Sequence, residues 1–256
     1  MPASAWQAAG RWLAGWWGVV RLGAQMLALL LAPSTWRRPN RAAILRQLWL
    51  DTAPLLPGFA LMSALVGVVL IRIVVVTAVS YGLTHYALGM VVRVLVLELI
   101  PLAAALYAAL RCALPNGAEI AALRAGGRFD AWRAQGNDPL RVAVLPRVVA
   151  GAFAVVALAL LAGLITQALA YLTLYGPTTA ALAGYTRIVG QVFAPTVSLI
   201  FALKTLALAL AVALIPAAEA LAPPAGARRG AELRGVVRML ALILLIEVAA
   251  LVGNYH

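Results

Sequence analysis

Five long apolar runs limit what this chain can fold into. Leu55–Ile71, Val94–Leu110, Val142–Leu174, Ile188–Ile215 and Met239–Val252 each carry at most one formal charge. A bilayer-spanning helix needs roughly 20 predominantly apolar residues, and each run supplies them, the last with help from its flanks. Burying the same runs in a soluble protein would require polar outer layers. Soluble domains are about a quarter charged, whereas this chain is 11% charged and 64% hydrophobic. A mean hydropathy of +0.98 points the same way. The expected fold class is an all-α integral membrane protein with five transmembrane helices.

The net charge of +12 invites a nucleic-acid reading, but membrane topology accounts for it better. Cytoplasmic loops of membrane proteins are enriched in Lys and Arg. Here Arg37, Arg38, Arg41 and Arg46 precede span one. Arg124, Arg128, Arg133, Arg141 and Arg147 lie between spans two and three, and Arg228, Arg229, Arg234 and Arg238 between spans four and five. The alternate loops are nearly bare: Tyr81–Ala87 has no cation and Tyr175–Arg187 has one. The pattern places the N-terminus inside and the C-terminus outside. The basic clusters read as orientation signals and anionic-lipid contacts, with no nucleic-acid partner.

The N-terminal stretch "AWQAAGRWLAGWWGVVRLGAQMLALLLAP" is interrupted by Arg11 and Arg21, and five of the seven tryptophans lie within the first 36 positions. Tryptophan concentrates at membrane interfaces, so residues 1–40 read as an interfacial helix along the inner leaflet. A retained signal-anchor is the other reading; it would reverse the side of every loop, against the arginine pattern. Residues 41–256 then form the five-span bundle of a single domain, 1–256.

The residues that would support catalysis are scarce. The lone Cys112 forms no intrachain disulfide and reads as a small buried hydrophobe. His85 and His256 are the only histidines, one on a short outer loop and one at the terminus, so no metal spacing exists. Lys204 is the only lysine, and no GxxxxGK[ST] loop precedes it. No GxSxG elbow is present. The expectation is no cofactor, no metal and no enzymatic activity of the chain's own.

Charges inside the spans are the more telling feature. Glu98 lies in span two, Lys204 in span four and Glu247 in span five. An ionisable group at the bilayer core costs about 2.5–3.5 kcal/mol on the lenient insertion scales, so such residues face a bundle interior or wet cavity and find partners. The three are expected to converge, either as interhelical glue or as a polar patch in a transport cavity. Arg93, five residues before Glu98, lies outside the i,i+3 and i,i+4 spacings, and Arg72 falls near the outer end of span one, where it can snorkel.

The stretch "LELIPLAAALYAALRCALPNGAEIAALRAGGRFDAWRAQGNDPLRVAVLPRVVAG", Leu97 to Gly151, resembles the signature region of MlaE-type ABC permeases. Those are membrane subunits of lipid transporters that work with substrate-binding MCE proteins. Without a gap, the chain supplies Glu98, Leu99, Pro101, Arg111, Glu119, Asp130, Ala131, Gly136, Asp138, Pro139, Arg141, Pro146 and Arg147 of the family pattern. Further on, "ALKTLALALAVALIP" places Lys204 where the family has its lysine, and Glu247 falls near its span-five aspartate.

The resemblance implies that Glu98, Lys204 and Glu247, with Arg93 covering the same face one turn earlier, line a lipid-transport cavity. It implies that the segment of about 117–139 is a cytoplasmic coupling helix that docks on a separate ATPase subunit; the other reading of that segment is a solvated basic loop. Gly136-Asn137-Asp138-Pro139 would end the helix, since glycine suits a C-cap and proline cannot continue it. Phe129, Asp130, Trp132 and Arg133 are expected to form its ATPase-facing surface, with Asp138 and Pro139 completing the contact. The chain departs from the family pattern at Leu97, where the family has arginine, at Leu110 and Ala113 in place of glycines, at the added Pro115, and at Gly127, Arg128 and Gln135 in the coupling segment.

The function implied is that of a permease subunit in a bacterial inner-membrane ABC lipid transporter. It would move phospholipid or a similar amphipath to or from a periplasmic MCE carrier. Expected partners are the ATPase subunit, the MCE-domain protein, a second permease copy in a homodimer or heterodimer, and membrane lipids. The altered coupling residues keep a second reading open: a non-coupling scaffold subunit paired with a more typical permease.

Overall fold

The computed structural model describes residues 2–83, 86–222 and 228–255. Among them 90% are helical and none form a strand. Five helical stretches are long and apolar enough to cross a membrane: Arg38–Ser80, Ala87–Ala125, Leu140–Tyr175, Pro195–Leu221 and Leu233–Asn254. They are the five spans below. Preceding them, the Pro2–Leu31 helix contains a shorter apolar part, Gly15–Leu31. The chain is an all-α, multi-pass membrane protein.

Prolines decide much of the local geometry. A proline inside a helix cannot donate to the carbonyl four residues earlier, and its ring clashes with that carbonyl. The helices answer by widening locally. π-helical turns run over Val92–Leu99, Ala109–Ala113 and Leu140–Val144, immediately ahead of Pro101, Pro115 and Pro146. Each contains the carbonyl that the proline leaves without its usual partner: Leu97, Arg111 and Val142. The helices therefore continue where a bare proline would break or kink them.

One sequence expectation fails here. The apolar run Ile188–Ile215 is not a single helix: Leu182–Val192 ends at Phe193 (φ −82°, ψ 48°), and span four starts at Pro195. The residue before a proline is pushed out of the helical region, while proline itself is tolerated at a first helical position. Hydropathy does not register that break.

Two compact units divide the chain. The first comprises residues 1–52, 109–154 and 210–242. Its core includes Leu22 and Met26 from the N-terminal helix, Ile44, Ile120, Phe129, Val144, Leu145 and Ala213. Gly117 lies so close to Pro216 that a Cβ there would meet its backbone at 3.1 Å, so the absent side chain permits the approach. The second unit comprises residues 53–108, 155–209 and 243–256. Phe59, Ile71, Val91, Leu158, Leu208 and Ile243 are buried in it, with Ala104, Ala105, Ala108, Ala162 and Ala209 fully enclosed. Such small residues let membrane helices approach closely. Leu61, Leu65, Leu164, Leu203 and Leu245 stay exposed, as a lipid-facing surface requires.

Charge is divided just as unevenly. Every cation except Arg72, Arg93, Arg187 and Lys204 belongs to the first unit, and the second contains only two acidic residues, Glu98 and Glu247.

Candidate functional site: a buried lysine between two carboxylates

Span four carries Lys204 to a position where its side chain is 1% exposed. An ammonium has three N–H donors and no acceptor, so burial demands three acceptors. It has them. Nζ donates to Glu247 Oε1 at 2.8 Å, to Glu98 Oε2, and to the main-chain oxygen of Leu97 at 3.3 Å. The last acceptor follows from the sequence: Pro101 has no N–H to give to the Leu97 carbonyl.

Asn254 completes the cluster. Its Nδ2 donates to Glu98 Oε1 at 2.9 Å, and because a carboxylate only accepts, this bond fixes the amide's orientation. Glu247 and Asn254 are seven residues apart on the Arg228–Tyr255 helix, two turns on one face. The Glu98 and Glu247 side chains are 12% and 11% exposed. Three charges that would each be costly alone in hydrocarbon thus satisfy one another. With all three ionised, the cluster keeps one negative charge in excess.

The structure brings Glu98, Lys204 and Glu247 together but leaves Arg93 out. Arg93 is exposed and makes no hydrogen bond or ion pair among the described residues. The cavity position expected of Arg93, one turn before Leu97, is corrected: Leu97 is buried whereas Arg93 is exposed and meets none of the cluster's side chains. Sequence reasoning missed Asn254 and the Leu97 carbonyl. The seven-residue spacing from Glu247 and the proline four residues after Leu97 were the available signals.

The presumed coupling segment is also rearranged. The 117–139 stretch is not one helix. Span two runs on to Ala125, Gly127 takes a left-handed conformation (φ 72°), and a short helix follows over Arg128–Ala134. That helix closes as expected: Gly136 has φ 74°, its N–H reaches Arg133 O, and the Asn137 N–H reaches Trp132 O at 2.9 Å, a Schellman end.

Its faces are the reverse of the expectation. Phe129 is 4% exposed, packed in the first unit's own core with Leu22, Ile44 and Val144, and Trp132 lies half-buried against that core. Residues three apart share a face, but the apolar face of a short amphipathic helix turns toward its own core when it can. Asp130 and Arg133 are exposed and paired with each other at 2.9 Å. Asp138 accepts from the Leu140 N–H at 3.0 Å and Pro139 is buried, so both shape the start of span three. The outward surface is Arg128, Asp130, Arg133 and Gln135, and Phe129 and Trp132 do not belong to it.

Beside this helix, Arg147 grips Glu119 through Nη2 and Nε at 2.9 and 3.2 Å. The pair, with Ala122, Leu123 and Arg128, lines an open groove of about 330 Å³. Elsewhere in the first unit, Asn116 Nδ2 donates to Asp51 Oδ2 at 2.6 Å. Arg238 pairs with Glu219 and lies 5.7 Å from the Trp16 ring, tying the N-terminal helix to spans four and five. No group of three or more His, Cys, Asp or Glu residues suited to a metal occurs among the described residues; His85 and His256 lie outside them.

Comparison with known families gives a match to the model described as Permease MlaE over residues 44–252. No curated protein matches the chain.

Proposed function

The chain belongs to the MlaE permease family, a family of ABC lipid-transporter permeases, and from that premise we propose that it moves phospholipid or a similar amphipath past the Lys204 cluster. In this reading a separate ATPase subunit drives the movement, a periplasmic MCE protein delivers or receives the lipid, and a second permease copy completes the membrane part. The membrane is the bacterial inner membrane. Residues 115–147 and 216–238 face the cytoplasm, in keeping with the concentration of arginine in those segments.

The observation that carries the reading is the buried Lys204–Glu98–Glu247 cluster contributed by spans two, four and five, in which every donor of the ammonium is engaged. Ionisable groups inside membrane helices face the bundle interior or a wet cavity and mark substrate and ion pathways. The ATPase contact is assigned to the outward face of the short helix, Arg128, Asp130, Arg133 and Gln135, together with the adjoining groove. The aromatic residues hold that face on the chain's own core. Rigid-body motion passed through so short a helix would reach spans two and three directly.

The scaffold reading keeps one specific support. With Phe129 buried, the exposed face offers charge and amide groups but no large apolar anchor of the kind that dominates protein interfaces. Reconstitution decides between the two. The chain is combined in proteoliposomes with the ATPase and MCE protein co-purified from its native membrane, and ATP-dependent lipid transfer is followed. Transfer that stops in Lys204→Met is expected. Undiminished transfer in that variant would remove the cluster from the lipid path, and transfer that requires an added second permease type would favour the scaffold.

A further inference from the structure

The hydrogen-bond inventory of the cluster is one-sided. All three N–H donors of Lys204 are engaged, on Leu97 O, Glu98 Oε2 and Glu247 Oε1. The cluster's one ammonium therefore has nothing left for a phosphate. Arg93 stands outside the cluster, and position 97, next to Glu98, is a buried leucine that adds no charge. What remains unmet is acceptor capacity. Glu247 Oε2 and Asn254 Oδ1 are buried and meet no donor among the described residues. An unpaired buried acceptor is a standing cost that a donor-bearing ligand removes, and the excess negative charge adds attraction for a cation.

We infer that the cluster recognises a primary ammonium, and that the lipid it selects is one whose head group carries that ammonium, as phosphatidylethanolamine does. The inference rests on the proposed lipid path through this cluster. The ammonium supplies the N–H groups that Glu247 Oε2 and Asn254 Oδ1 lack and balances the second carboxylate. A trimethylated ammonium brings the charge without the N–H groups. A glycerol head group leaves its phosphate uncompensated beside the carboxylates, and such unpaired groups are how a site rejects the wrong partner.

The test compares lipids of one acyl composition on the full-length chain in dodecyl maltoside, with bound lipid counted by native mass spectrometry. Phosphatidylethanolamine should be retained about tenfold over both phosphatidylglycerol and phosphatidylcholine, the factor expected of one charged hydrogen bond. Glu247→Gln, which keeps shape but removes the excess charge, should bring the ethanolamine and glycerol lipids to within about twofold of each other. Equal or better retention of phosphatidylglycerol or phosphatidylcholine by the unmodified protein overturns the inference without any variant. So does a preference unchanged in Glu247→Gln. Displacement of bound lipid by free ethanolamine at equal concentration would assign the site to a soluble amine and overturn the lipid selection. If the chain holds no lipid of any kind, the lipid path itself fails, whereas retention without preference defeats only the selectivity.

Discussion

Replacing Lys204 with methionine separates two accounts of the cluster by magnitude. If the lysine contributed only interhelical hydrogen bonds, its loss would cost about 0.6 kcal/mol per bond, the average measured in membrane proteins. Removing one partner of a buried ion pair is more severe, about 3–5 kcal/mol, because the remaining charge has no counter-charge. Side-chain exposures of 1% for Lys204, 12% for Glu98 and 11% for Glu247 put this cluster in the second regime, with two carboxylates stranded together. Lys204→Met is therefore expected to lower the unfolding free energy by about 3–5 kcal/mol. The compensating variant sharpens the test. Adding Glu98→Met and Glu247→Met removes both stranded charges, and replacing a whole buried ionic group by well-packed hydrophobic residues of similar volume is neutral or stabilising by about 1–4 kcal/mol. The triple variant should thus recover most of the loss. Unfolding in mixed detergent micelles, followed by circular dichroism against sodium dodecyl sulfate, measures all three proteins on one scale. A loss of about 2 kcal/mol or less in the single variant, the sum for its three ordinary bonds, or a triple variant no more stable than the single, would refute the coupled-charge account.

Other expectations come from different parts of the molecule. Phe129→Ala should lower the unfolding free energy by about 3–5 kcal/mol, the range for a buried phenylalanine, whereas exposed Arg133→Ala should stay within about 0.5 kcal/mol; equal stability of the two in thermal melts would contradict the inward placement of Phe129. In a Cys112→Ser background, Thr178→Cys should react with a membrane-impermeant maleimide on intact cells and Asp138→Cys should not, and the opposite pattern would invert the topology. Burial, with the neighbouring Tyr175 phenol adding to it, pushes the Tyr185 phenol up from 10.0 to about 12, while its hydroxyl donates to Gln167. Because the folded-state value is the higher one, the stability it contributes is complete below pH 10 and is lost as pH rises toward 12. Ultraviolet titration of phenolate should show one late tyrosine that disappears in Tyr185→Phe.

Much of this was legible in the residues. Glu98, Lys204 and Glu247 declared themselves because a charge in an apolar run has few places to go, and the positions of the spans followed from length and hydropathy. The details that failed share a cause: pattern gives the face, not the direction in which the face turns. Phe129 and Trp132 share a face as their spacing required, yet whether it met a partner or the chain's own core depended on Leu22 and Ile44, far away in sequence. Arg93 was misplaced because its spacing from position 97 says which residues stack along the helix and not whether that face meets the cluster or the outside, and Arg93 is exposed. Leu97 was missed as a site residue because its contribution is a carbonyl, signalled only by Pro101 four residues on and not by any side chain. The same blindness to backbone joined the Leu182–Val192 helix to span four across Pro195.

The three widened turns also set rules for anyone lengthening or shortening these helices. A π-helical turn accommodates an extra residue without breaking the helix, so each is a natural point for a one-residue insertion or deletion. Deleting one residue at the start of the regular α-helical stretch Leu114–Ala125 would instead draw the helix in by about 1.5 Å and swing its C-terminal part by about 100°. Asn116 would then leave Asp51, Glu119 would leave Arg147, and Ile120 would turn out of the core it shares with Phe129. The proline behind each bulge favours keeping the extra residue, since a regular α-turn there would set its ring against the carbonyl four residues earlier. Loop exchanges between members of this family should therefore carry the bulge and its proline as one indivisible cassette.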